Sequence, residues 1–339
     1  MAEKNRVTLH DVAALAGVSH QTVSRVINNS DHVRPETRKR VEDAILELDY
    51  RPNAIARSMV RGSTHTLGCI SPNLTDPVFA NIIEGAQAEA RRQGYFLLVG
   101  SASSVEDVQP LLDELLNRCV DGLLILNARD DERYQLLLPL IGNGTPMVYI
   151  KNSPDGERVS SVRCDDIQGG YLATKHLIDL GHKKIGLILG RHNEQCTHER
   201  LEGYKKALQE ASLPFRESLL IQGNWSSRSG TQAVEKLLED ADQFSAVFAM
   251  NDRMAAGALR GLRGAGYRVP EDYSLVGYDN VPLSELIDPP LSTVHQPLEE
   301  FGRQAAQIVI QSIRSGKKSS PVERCITPEL IARNSSTQK

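Results

Sequence analysis

Residues 8–29 read TLHDVAALAGVSHQTVSRVINN, and the stretch sorts into helix, turn and helix. Thr8 stands before Leu9 with Asp11 three residues on, a capping box with Asp in place of Glu. Val12, Ala13 and Ala16 continue a helix that Gly17 stops. Ser19 restarts a helix as its N-cap, and Asn28-Asn29 ends it. Two short helices joined by a turn of about three residues that holds a glycine form the helix-turn-helix pattern. At about 100° per residue, His20, Gln21, Ser24, Arg25 and Asn28 share one sector of the second helix. Thr22, Val23, Val26 and Ile27 take the other. Pro35 suits the first position of a third helix, in which Val41, Ala44, Ile45 and Leu48 recur at i, i+3, i+4 and i+7. Three short helices thus close a small core and leave one polar face. A Gln on that face can bond an adenine edge and an Arg a guanine edge. Ser19, Thr22 and the helix N-terminus suit phosphate oxygens. The pattern also fits an ordinary three-helix bundle whose polar helix is simply solvated.

The charge around this stretch agrees with a small nucleic-acid-binding part. The chain has 339 residues, 40% hydrophobic and 24% charged, which describes a soluble globular protein of roughly two domains. Its formal net charge of −4 excludes a protein that coats DNA by bulk charge. Residues 1–65 nevertheless hold ten Lys and Arg against eight acids, +2, which leaves −6 on the rest. The five cysteines are far apart and form no CxxC pair, so neither a disulfide framework nor a zinc motif is expected. His192, Cys196 and His198 form an H-x3-C-x-H cluster with no evident fourth ligand, so no metal is expected there. The opening MAEKNRVTLHDV holds no apolar core of a signal peptide, and no apolar run approaches a membrane span. A bacterial cytoplasmic protein without membrane contact is expected.

Beyond the third helix, RPNAIARSM (51–59) is opened by Pro52 and is long enough for barely two helical turns. RGSTH (61–65) follows as a linker. A helix this short is marginal in water and needs a partner, either DNA or the same segment of a second subunit. Met59 at its end is one of the residue types that wedge between base steps in the minor groove. A plain linker with a surface methionine remains the other reading.

From Thr66 onward, apolar runs alternate with amphipathic helices. Strands are expected at Leu67–Ser71, Phe96–Gly100, Gly122–Leu126, Met147–Ile150, Ile185–Gly190, Ala246–Met250 and Ser274–Gly277. Gly94, Gly181 and Gly266 each follow a helix and precede a strand. The alternation implies an α/β fold with parallel sheets and helices on both faces, as one large sheet or two lobes.

The segment VTLHDVAALAGVSHQTVSRVINN (7–29), followed by YRPNAIARSM (50–59), resembles the LacI/GalR family of bacterial transcription regulators, and the likeness runs over nearly the whole chain. The resemblance implies a helix-turn-helix head at 1–50, a hinge helix and linker at 51–65, and a two-lobed core like a type I periplasmic binding protein. Its N-terminal lobe would be 66–165 with about 296–325, and its C-terminal lobe 166–294 with about 326–339. The crossings fall near Asp165, near Val294-His295-Gln296 and near Cys325–Thr327. The resemblance implies that His20, Gln21 and Arg25 read bases, with Thr8, Ser19, Thr22, Ser24 and Asn28 in the same DNA-facing set. It also puts Asn53, Ala56, Arg57 and Met59 in the minor groove.

For the core, the resemblance implies a small-molecule effector at the C-terminal ends of the strands. Asp76, Phe79, Lys151, Arg200, Trp225, Asn251, Asp279 and Gln296 are the expected contacts. Arg200, Asn251 and Asp279 would bond hydroxyls, and Trp225 or Phe79 would stack on a sugar face. Many family members carry Asp where this chain has Lys151; a lysine there suits an acidic or phosphorylated ligand, or else snorkels or pairs with a nearby acid.

The function implied is a homodimeric, effector-controlled repressor on a near-palindromic operator in double-stranded DNA, with a sugar or sugar derivative as effector. A regulator dependent on a purine-like corepressor is the alternative. The tail ARNSSTQK lacks a leucine heptad, so a dimer is expected. No P-loop, no GxGxxG after a strand, no HExxH and no GxSxG is present, so neither a cofactor nor catalysis is expected. A transport solute-binding protein would share the two lobes but would need an export signal and no DNA-binding head.

Overall fold

The computed structural model describes residues 7–27, 32–50, 62–126, 132–151, 159–240, 244–316 and 320–339. Asn28 and the hinge segment with Asn53, Ala56, Arg57 and Met59 lie outside the described residues. The chain divides into two units, Met1–Thr64 and His65–Lys339.

The first unit contains α1 (Leu9–Ala16), α2 (His20–Ile27) and α3 (Pro35–Glu47). The capping box forms at Thr8, whose N–H donates to Asp11 Oδ2 at 2.8 Å while its hydroxyl accepts the Asp11 N–H at 3.4 Å. Gly17 ends α1 in the left-handed region at φ 62°, a conformation glycine adopts at no steric cost. Val12, Ala13 and Ala16 from α1, Val23 and Val26 from α2, and Val41 and Ala44 from α3 form the core, with Ile45 and Leu48 packed against it.

The second unit begins with β1 (Thr66–Ser71), α4 (Pro77–Arg92), β2 (Phe96–Ser101), α5 (Val105–Asn117), β3 (Gly122–Leu126), α6 (Glu132–Gly142), β4 (Met147–Ile150) and β5 (Ser160–Cys164). Next come α7 (Asp166–Asp179), β6 (Ile185–Leu189), α8 (Gln195–Glu210), β7 (Leu220–Gln222), α9 (Ser227–Asp240), β8 (Ala246–Ala249), α10 (Asp252–Gly264) and β9 (Ser274–Asp279). The chain finishes with α11 (Leu283–Leu286), β10 (Ser292–His295), α12 (Leu298–Ser315), β11 (Glu323–Ile326) and β12 (Glu329–Ile331).

These strands form two six-stranded sheets, ordered β11-β5-β4-β3-β1-β2 and β12-β10-β9-β8-β6-β7. Every described pairing is parallel except β12 on β10. The chain passes from the first sheet to the second after β5. It returns through α12 after β10 and crosses again between β11 and β12. The central strands of the first sheet are buried on both faces, as those of parallel sheets are. Leu124 and Leu126 face the core under α4 and α12, while Leu123 and Ile125 face the core under α5 and α6. Strands β5, β7, β10, β11 and β12 were not anticipated. They are short and partly polar, SSVRC and STVH for example, and exist because a neighbour supplies hydrogen bonds in register.

Three helix pairs are drawn together by reciprocal glycines. A methyl on Gly85 of α4 would collide with the Glu299 backbone of α12, and one on Gly302 of α12 with the Ile82 carbonyl of α4. Gly170 of α7 and Gly203 of α8 meet each other's helix backbone in the same way, as do Gly230 of α9 and Gly257 of α10. Backbone against backbone leaves no flexible side chain to give way. Gly302→Ala is therefore expected to cost about 1–3 kcal/mol or more in urea unfolding. Gly264→Ala, where an added Cβ meets nothing within 4 Å, is expected to be neutral or mildly stabilising. Equal behaviour of the two variants would contradict close helix contact.

Candidate functional site

In the first unit the polar sector of α2 faces solvent. His20, Gln21 and Arg25 are exposed, Thr22 and Ser24 are half-buried, and Val23 and Val26 are buried. The Ser19 hydroxyl accepts the Thr22 N–H at 3.2 Å and lies 3.0 Å from the Thr22 hydroxyl, so these two residues shape the start of the helix. Thr8 shapes the start of α1 through its capping box. The His10 ring lies 5.3 Å from that of His20, an exposed neighbour that sequence reasoning did not single out.

In the second unit the loops at the carboxyl ends of β1, β4, β6, β7, β8 and β9 surround a cavity of about 270 Å3. This is where ligands bind in open parallel sheets, because strand-to-helix turns diverge there and expose polar backbone and helix starts. Asn73, Asp76 and Phe79 come from the turn after β1, and Lys151 from the end of β4. Arg191, Glu194 and Arg200 follow β6, Trp225 follows β7, Asn251 and Arg253 follow β8, and Asp279 ends β9. Lys151, Trp225 and Asp279 hold positive φ of 75°, 73° and 110°. Side chains rarely adopt that region, and such strain gathers at ligand sites.

Arg200 is the centre of the wall. Its Nε donates to Asp166 Oδ1 at 2.7 Å and its Nη1 to the Met250 carbonyl at 2.5 Å. The Tyr278 hydroxyl donates to the same Asp166 oxygen at 2.8 Å, and the guanidinium lies 3.6 Å from the Tyr278 ring centroid. Burial is the largest single influence and opposes the Arg200 charge, but Asp166 together with Tyr278, Cys196 and Asp279 outweighs it and raises the pKa. Nη2 is buried without a hydrogen-bond partner. The Trp225 indole N–H donates to Glu194 Oε2 at 3.0 Å, and its carbonyl accepts from Asn251 Nδ2 at 3.2 Å. Asn251 Oδ1 also caps α10 through the Met254 N–H at 2.8 Å. Arg253 pairs at 2.5 Å with Asp76, whose other oxygen caps α4. This ion pair bridges the helix starts that follow the first strand of one sheet and the third strand in sequence of the other.

Asp279 accepts from Gln296 Nε2 at 2.6 Å. Burial pushes its carboxyl up, and the fields of Lys151 and Arg200 pull it back. Asp252 behind it is also pushed up, by burial and then by Asp279, and is held by the Thr293 hydroxyl at 2.6 Å and the Val281 N–H at 2.9 Å.

Of the eight expected effector contacts, seven line this cavity. Gln296 does not: it is 1% exposed and sits behind Asp279, positioning that carboxylate. Asn73, Arg191, Glu194 and Arg253 were missed, though each follows a strand end and was findable on that ground. Asp166 and Tyr278 carried no sequence signal, since their role depends on a residue 34 positions away in one case and 112 in the other. Among the described residues no group of three or more His, Cys, Asp or Glu is placed to hold a metal ion, and no helix is long and apolar enough to cross a membrane. Cys196 is buried against the cavity, which pushes its thiol up to about 12.

A family model described as bacterial regulatory proteins, lacI family, matches residues 8–53. One described as periplasmic binding proteins and sugar binding domain of LacI family matches residues 64–334. The HTH-type transcriptional repressor PurR of Aliivibrio salmonicida (strain LFI1238) is 38% identical over 330 residues, 97% of this chain and 98% of the relative. A solved transcriptional regulator CelR-cellobiose complex is similar at TM-score 0.75 and 38% identity, over 97% of this chain and 100% of that one. The lac repressor dimer bound to operator and the anti-inducer ONPF is similar at TM-score 0.88 and 29% identity, over 98% and 100%.

The Asp166–Arg200 pair gives the site its most direct test. Asp166→Ala leaves a guanidinium buried without its counter-ion and is expected to cost about 3–5 kcal/mol in chemical denaturation. A loss under about 1 kcal/mol, the range of exposed pairs, would show that the wall does not depend on it.

Proposed function

The chain belongs to the LacI family of bacterial regulatory proteins, and from that premise we propose how this DNA-binding transcriptional repressor and its effector-binding core work. What carries the reading is one chain that holds both an exposed row of His20, Gln21 and Arg25 on a helix-turn-helix and a polar cavity at the strand ends of a two-sheet core. Residues 1–50 read DNA, 51–65 form the hinge, and two lobes, 66–165 with about 296–325 and 166–294 with about 326–339, enclose the effector. Two copies bind a near-palindromic operator in the bacterial cytoplasm, since two-fold protein symmetry is mirrored in the site.

The effector is a sugar or sugar derivative. Trp225 and Phe79 offer stacking faces, while Asn73, Asn251, Arg200 and Asp279 offer the donors and acceptors that hydroxyls require. Known sugar complexes in related regulators, the CelR-cellobiose complex among them, support this class. The cavity binds its ligand without transforming it. An effector that prefers one lobe arrangement shifts the population between states of different operator affinity.

An operator selected from a random-sequence pool should be near-palindromic. Arg25→Ala is expected to weaken binding to it about 10- to 100-fold, about 1–3 kcal/mol, with little change on random DNA. Fluorescence anisotropy on both duplexes measures this, and equal losses on the two would assign Arg25 to phosphate alone.

A further inference from the structure

Lys151 is the cation of the cavity whose charge is least accounted for. It ends β4 at φ 75°, with its N–H bonded to the Val162 carbonyl at 2.9 Å, so its backbone is set by the neighbouring strand. Among the described residues its ammonium makes neither a hydrogen bond nor a direct ion pair, although it lines the cavity and its field reaches the Asp279 carboxyl. Arg191, on the facing sheet's loop, is likewise without an ion pair among the described residues. The other two cations there are taken: Arg200 by Asp166 and Arg253 by Asp76. Of the acids in the wall, Asp76 has its cation, while Glu194 accepts only the neutral Trp225 indole N–H and Asp279, held from behind by the neutral Gln296 amide, feels the Lys151 charge without a direct ion pair.

Resting on the sugar reading above, we propose that the effector is an acidic sugar, one or two rings carrying a single carboxylate, and that Lys151 receives the carboxylate. A charge held in a half-enclosed cavity without a direct ion pair is stabilised when the ligand supplies one. A monoanion suits the wall better than a phosphate dianion, because Glu194 and Asp279 already bring negative charge to the same space. The cavity volume of about 270 Å3 is near the lower end of the usual range for ligand sites, which favours a compact ligand.

The test titrates the full-length chain with galacturonate and glucuronate, their neutral parents galactose and glucose, neutral cellobiose, and glucose 6-phosphate. Binding is read by calorimetry and by the fluorescence of Trp225, the only tryptophan. A uronate is expected to bind about tenfold or more tighter than its neutral parent, with a preference that weakens as salt rises. Lys151→Gln should abolish the preference and Lys151→Arg should retain it. A neutral sugar bound as tightly as its acid, with Lys151→Gln unchanged, would overturn the acidic-ligand proposal and leave the sugar reading standing. Preference for glucose 6-phosphate would overturn the carboxylate. Failure of every sugar to bind would remove the sugar reading and this inference with it.

Discussion

The ligand cavity is organised around one buried interaction, the pairing of Asp166 with Arg200. Both side chains are almost wholly inaccessible, at 5% and 2%. A guanidinium in that position is tolerated only because a carboxylate, the Met250 carbonyl and the face of Tyr278 replace its water. The pair ties the start of α7 to the first half of α8 and, through Met250 and Tyr278, to the ends of β8 and β9. Moving any of these elements would strand a charge. The wall is thus fixed before a ligand arrives, with Nη2 buried and unpartnered within it.

The glycine contacts make this arrangement geometrically accessible. Gly170 lies against the Arg200 backbone and Gly169 under the Tyr278 hydroxyl, so α7 approaches both partners more closely than any side chain at those positions would permit. The same device recurs at α4 with α12 and at α9 with α10. Small residues at helix crossings therefore set how closely these helix pairs pack. The Asp76–Arg253 pair draws on the same geometry. It is formed by two helix starts brought face to face, each already shaped by a capping residue.

Much of this was legible along the chain. Thr8, Gly17, Ser19 and Pro35 punctuate the three head helices by local chemistry alone, and Val12, Val23 and Val41 fall into the core where helical periodicity puts them. The seven anticipated strands are apolar runs, and all but the edge strand β2 are largely buried. Seven of eight anticipated ligand residues line the cavity because strand ends converge in a parallel sheet. Gln296 shows the limit. It follows a strand end like the others, but its amide is drawn to Asp279 from behind, which depends on how β9 and β10 lie in register.

By itself, then, the sequence determined the helix boundaries, the apolar faces, the alternation of strand and helix, and the likeness to a regulator family. These are properties of neighbours within a few positions or of patterns repeated along the chain. Only the tertiary structure decided that Asp166 holds Arg200, that Arg253 meets Asp76, and that Lys151 lines the cavity without a direct ion pair. The physical reason is that electrostatic partnership depends on distance and burial in space. Residues 34 and 177 positions apart along the chain become first neighbours only after the helices have packed.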